Sequence, residues 1–177
     1  MSKSSTTAKI CSYILIATII MVVSTVPALT YAQQQTNFVA NLSGKNVVPP
    51  VNTPATGVAK FHTNSNGTLS YEIDVKNLNK VIASHIATKN GTEILQLLSP
   101  YATISTGFNQ VKSIYPTGVV NGRLASGVIT ADNLLGPFSG KSVTDLVNAM
   151  KHGDFSMTIR TQPNQHGEIA GQIVLSK

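Results

Sequence analysis

At 177 residues, 42 % of them hydrophobic, the chain is long enough for one domain with a real core and too apolar for a disordered one. Thirteen basic residues against seven acidic ones give a net charge of +6, yet the cations are scattered singly, which excludes the dense basic stripe of a nucleic-acid binder. The single cysteine excludes an internal disulfide.

The first elements in chain order form a targeting segment. Lys3 and Lys9 give a positive start, and residues 10–23 are an uncharged apolar run. Pro27 then breaks any helix, and Ala28-Leu29-Thr30-Tyr31-Ala32 offers small residues for cleavage after Ala32, before Gln33. Residues 1–32 therefore read as a signal peptide. The alternative is an uncleaved N-terminal membrane anchor, because residues 10–32 carry no charge and could just span a bilayer of about 30 Å. Cys11 lies in the apolar run without a lipobox before it. Either way residues 33–177 are expected outside the cytoplasmic membrane, as one domain with eleven basic and seven acidic residues, net +4, and no cysteine.

The period of the remaining sequence is two, which predicts strands. Phe38, Ala40 and Leu42 alternate with polar neighbours in a first strand. Pro49, Pro50 and Pro54 force an extended or turning link, since proline cannot donate to a ladder. Residues 58–63 and 69–75 make the next two strands, joined through Asn64-Ser65-Asn66-Gly67, where Asn and Gly tolerate positive φ. Residues 81–87 and 94–98 are two more, with Asn90-Gly91 between them. Residues 99–121 show isolated aromatics (Tyr101, Phe108, Tyr115) and no period, and read as a long loop. A strand follows over 123–130.

Ser142-Val143-Thr144-Asp145 opens the only predicted helix, near 142–151. Val143, Leu146, Val147 and Met150 recur at helical spacing, and Gly153 stops it. In the last hairpin Phe155, Met157 and Ile159 form one apolar face, and Ile169, Gly171, Ile173 and Leu175 the other. Pairing Ile159 with Ile169 keeps both faces on the core side, whereas a slip of one residue would throw one set into water. The same register puts Arg160 opposite Glu168 and predicts a cross-strand ion pair. About eight strands at short intervals predict an all-β fold, an antiparallel immunoglobulin-like β-sandwich or barrel.

Two motifs bracket this domain: Leu42-Ser43-Gly44-Lys45-Asn46-Val47-Val48-Pro49-Pro50-Val51 and Gly167-Glu168-Ile169-Ala170-Gly171-Gln172-Ile173-Val174. With Ala55-Thr56-Gly57 and Thr68-Leu69-Ser70-Tyr71 between them, the chain resembles the CHRD domain, the repeat first described in chordin and widespread in exported microbial proteins. The resemblance covers about residues 38–174 and implies a secreted β-sandwich, with no reaction attached. Val47 stands where the family often has an acidic residue. Many members also carry His-x-His on the central strand and another His near the end of the penultimate strand, a pattern compared with the copper site of superoxide dismutases. Here those positions are His85, Ala87 and Arg160, so two of the three implied ligands are missing.

The residues themselves assemble no catalytic set. There is no Gly-x-Ser-x-Gly turn, no Gly-rich phosphate loop and no calcium loop. His62, His85, His152 and His166 show no i, i+2 or i, i+4 pairing. The weak metal candidates are His85, His166 and Glu168. No cofactor is expected. Asn41, Asn66 and Asn90 stand in glycosylation-acceptor sequences. The expected function is a non-enzymatic, secreted or cell-surface binding or structural module whose partner is an extracellular or envelope protein or glycan, with contact regions at 99–121 and 134–141. The alternatives are a metal-binding or redox protein using His85 and a membrane-anchored structural protein of the envelope.

Overall fold

The computed structural model describes residues 35–98 and 118–176. The expected all-β fold is present. Its strands are β1 (Asn37–Ser43), β2 (Thr56–Thr63), β3 (Leu69–Asn79), β4 (Val81–Thr88), β5 (Glu93–Leu98), β6 (Val119–Ile129), β7 (Phe155–Thr161), β8 (Ile169–Gln172) and β9 (Val174–Leu175). The helix α1 (Val143–Lys151) precedes β7. All pairings are antiparallel, in the order β5-β4-β7-β8-β1-β2-β3-β6, with β9 added on β1. The strands form one nearly closed, barrel-like sheet.

Each element follows from its residues. β2 and β3 pair without interruption from Thr56 opposite Lys76 to Thr63 opposite Leu69. Their turn uses Gly67 at φ +78°, where a side chain would be strained. In α1 the Ser142 hydroxyl accepts from the Asp145 N–H at 3.1 Å, and the Asp145 carboxylate accepts from the Ser142 N–H at 3.0 Å. The expected Ser142 cap is thus part of a reciprocal capping box with Asp145. Val143, Leu146, Val147 and Met150 are buried and join the core with Phe38, Phe61, Leu69, Ile73, Met157 and Ile159. Burying one side chain of this size contributes about 1.5–3 kcal/mol.

β7 and β8 take the expected register, Ile159 opposite Ile169 and Met157 opposite Gly171. Two details differ from the sequence reading. Leu175 does not join the core: β8 ends at Gln172, the chain crosses to β1 as β9, and Leu175 is 49 % exposed. β3 runs to Asn79 and β6 begins at Val119, four residues before the predicted start. Backbone pairing across bulges carries that extension, with the Asn77 N–H donating to Asn121 Oδ1 at 2.8 Å. Val119 is exposed there, so no apolar alternation marks it. Segment 134–141 is held at two points, since Leu134 is buried and bridges Leu95, and Phe138 meets Phe155 edge to face at 5.6 Å, while the residues around them are exposed. The aromatics of the predicted long loop, Tyr101, Phe108 and Tyr115, lie outside the described residues.

Candidate functional site

β4 lies between β5 and β7 and is buried on both faces. Across the β4–β7 ladder, Ser84 faces Ile159 and Ile86 faces Met157 on the core side. The alternate pairs, Ala83 with Arg160, His85 with Thr158 and Ala87 with Ser156, therefore point outward. β8 continues this outer face with Ala170 opposite Thr158 and Gln172 opposite Ser156. Thus the three positions singled out by the resemblance, 85, 87 and 160, do come together.

The two motifs close one side of this face. After β1 the chain turns through a 3₁₀ helix, Gly44–Asn46. Asn46 Nδ2 donates to the Ala170 carbonyl at 3.0 Å and to the Asn41 carbonyl at 3.3 Å. The approach leaves no room for side chains. A Cβ on Gly44 would press into the Val51 carbonyl oxygen, and one on Gly171 into the Asn41 carbonyl oxygen. The motif glycines are thus explained by close backbone contact.

Glu168 holds the same junction together. Its carboxylate accepts hydrogen bonds from the Thr53 hydroxyl, from the Thr161 hydroxyl at 2.7 Å and from Asn164 Nδ2 at 2.6 Å. Burial pushes its pKa up, but these three donors outweigh that, and the carboxyl lies below its ordinary range. The predicted Arg160–Glu168 ion pair is therefore corrected. Glu168 precedes the β8 ladder, and its side chain turns to three neutral donors instead. Among the described residues the ion pairs are Lys89–Asp154, Arg123–Glu72 and Arg123–Asp74.

What remains on the outer face is an open groove of about 650 Å³. Its ionisable lining residues are His85, Lys89, Arg160 and His166, and no Asp or Glu lines it. Arg160 Nε and His85 Nδ1 are buried without hydrogen-bond partners. Burial, and secondarily the Arg160 guanidinium, lower the His85 pKa to about 4, so the imidazole is neutral at physiological pH. Sequence reasoning missed Ser156, Thr158 and Gln172 as groove residues, although their parity with His85 across the ladder carried that signal.

Of the three metal candidates, His85 and His166 share the groove, while Glu168 is committed to Thr53, Thr161 and Asn164. Among the described residues no three His, Cys, Asp or Glu side chains gather to hold a metal ion. A guanidinium at the third implied position repels one further, so the residues do not fit a copper or zinc centre. His62 Nδ1 lies 2.6 Å from Asn37 Oδ1, and His152 Nδ1 lies 2.9 Å from the Asn148 carbonyl at the end of α1, both away from the groove. Asn41, Asn66 and Asn90 are exposed, and Asn66 Oδ1 accepts from the Thr68 N–H at 3.2 Å and from its hydroxyl at 2.7 Å. No helix among the described residues is long and apolar enough to cross a membrane; residues 10–32 lie outside them.

The model of the CHRD domain family matches residues 38–173, from β1 to the residue after β8. No curated protein and no solved structure matches the chain.

Proposed function

The chain belongs to the CHRD domain family, and on that premise we propose that it is an exported, non-enzymatic module that binds an extracellular or cell-envelope protein or glycan. The observation that carries this reading is the groove where the two family motifs meet. The motifs dock glycine to backbone, the β4–β7–β8 ladder sets polar side chains outward, and the open volume of about 650 Å³ falls within the size range of ligand pockets. Export is supported by the charge and apolar pattern of residues 1–32.

Two measurements test it. Mass analysis of the native N-terminus should find Gln33, or its cyclised form, as the first residue; an intact residue 1 would mean the membrane-anchored form. Envelope polymers and extracellular proteins of the host should be retained on the immobilised protein and lost with Ser156→Trp, which fills the groove. Retention unchanged by that substitution would remove the groove from the function. The redox alternative would need stoichiometric copper or zinc that disappears in His85→Ala, and metal analysis of the purified protein decides it.

A further inference from the structure

We propose that the groove is an oxyanion-binding site, with Arg160 as its fixed positive charge and a carboxylate or phosphate group of the ligand as its counter-ion. The inference rests on the binding reading above and names the ligand chemistry of the same groove.

The argument starts from a charge balance over the whole chain. There are seven Asp and Glu residues, and all lie among the described residues, because residues 1–34 and 99–117 contain none. Glu72 and Asp74 hold Arg123, and Asp154 holds Lys89. Asp145 caps α1. Glu168 is taken by Thr53, Thr161 and Asn164. Glu93 on β5 stands opposite Ala87 with its Oε1 buried and unpartnered, and Asp132 lies in the turn after β6; neither lines the groove or forms an ion pair with Arg160. No acidic side chain of this protein therefore neutralises Arg160.

Arg160 is half-buried in the groove. Its Nε is out of solvent with no acceptor, and His85 Nδ1 beside it is equally unpartnered. Leaving such groups unmatched carries a cost, and because both atoms are closed to solvent an incoming acceptor meets the guanidinium through the part of Arg160 that lines the groove. The guanidinium fork matches the two oxygens of a carboxylate or phosphate, and in a groove without carboxylates nothing competes for it. Lys89 at the edge is already paired with Asp154, His166 adds an imidazole there, and Ser156 and Thr158 supply hydroxyls along the groove. A metal ion would be repelled by the same charge that attracts an anion, so the Arg at the third family position changes the chemistry of the site.

The test is an NMR titration of the protein, following the Arg160 Nε–H and His85 imidazole signals. The probes are sodium glucuronate for the carboxylate, inorganic phosphate for the phosphate, and glucose with matched sodium chloride as controls. At least one oxyanion should give saturable shifts at both residues, and which one does so identifies the source. Glucose and chloride should give none. Arg160→Met should abolish the response. Arg160→Lys, which keeps the charge and loses the fork, should weaken it about tenfold and carries the test if the Met variant does not fold. Absence of saturable shifts with both anions, or an unchanged response in Arg160→Met, overturns the site. Envelope material retained by Arg160→Met as by the wild type would overturn the oxyanion site and leave the binding module standing. Oxyanion binding at Arg160 without any retained extracellular or envelope partner would do the reverse.

Discussion

Replacing Glu168 with Gln tests the junction between the two motifs most directly. Glu168 is 9 % exposed, and its carboxylate accepts three hydrogen bonds, two of them from side chains of the β7 end and the following turn and one from Thr53, far away in sequence. Bonds to a charged acceptor are worth about 1.5–3 kcal/mol each, against about 1 kcal/mol for neutral ones. The amide can retain partners only as a neutral acceptor, and its cheaper desolvation offsets part of the loss. The expected net destabilisation is about 1–3 kcal/mol. For a domain of this size that is a fall in Tm of about 3–10 °C. Calorimetry at pH 7 and pH 3 measures it. The folded pKa of Glu168 lies below its unfolded value of about 4.3, so its stabilisation is complete above that value and lost as pH falls through the folded pKa. The gap between wild type and Glu168→Gln should therefore be narrower at pH 3 than at pH 7. A variant melting within about 1 °C of wild type at pH 7, or a gap independent of pH, would refute the reasoning. A double-mutant cycle adds a sharper contrast: coupling to Thr161 should be clear, and coupling to Arg160 below about 0.5 kcal/mol.

Gly171→Ala should cost about 3 kcal/mol or more in chemical denaturation, because the new methyl meets the Asn41 backbone, which cannot yield as a side chain could. Gly67→Ala, at positive φ in open space, should cost only about 1–2 kcal/mol in the same assay, and equal costs would refute the close-contact account. The His85 imidazole should not titrate between pH 5.5 and 8 by NMR, given its pKa of about 4. Since the unfolded chain protonates near 6.5, stability should decline as pH falls from there towards 4, and His85→Asn should flatten that decline. Ser142→Ala should lose about 1 kcal/mol with the N-cap, and an unchanged melting curve would mean the capping box is not formed in solution.

The parts of the fold that were legible in sequence are those decided by neighbours a few residues away. Alternation in 37–43 and 69–75, the Asn64–Gly67 turn, the Ser142/Asp145 cap and the helical stripe ending at Met150 are all short-range patterns, and the structure reproduces them. The Ile159–Ile169 register was also legible, because one slip would expose a whole apolar face. The extension of β6 to Val119 was not, because an exposed edge selects no alternation.

The side-chain partners at the site belong to the other kind of information. Sequence placed Arg160 and Glu168 opposite each other, yet the carboxylate is claimed by Thr53, 115 residues away, and by Thr161 and Asn164. Leu175 kept the parity of Ile169 and Ile173 but left for β1 once β8 ended. Sequence alone determined an all-β chain, its helix and the inventory of four histidines, two arginines and seven acids. Only the pairing of strands distant in sequence, β4 with β7 and β1 with β8, decided that all seven acids lie elsewhere and that Arg160 stands in a groove with none of them.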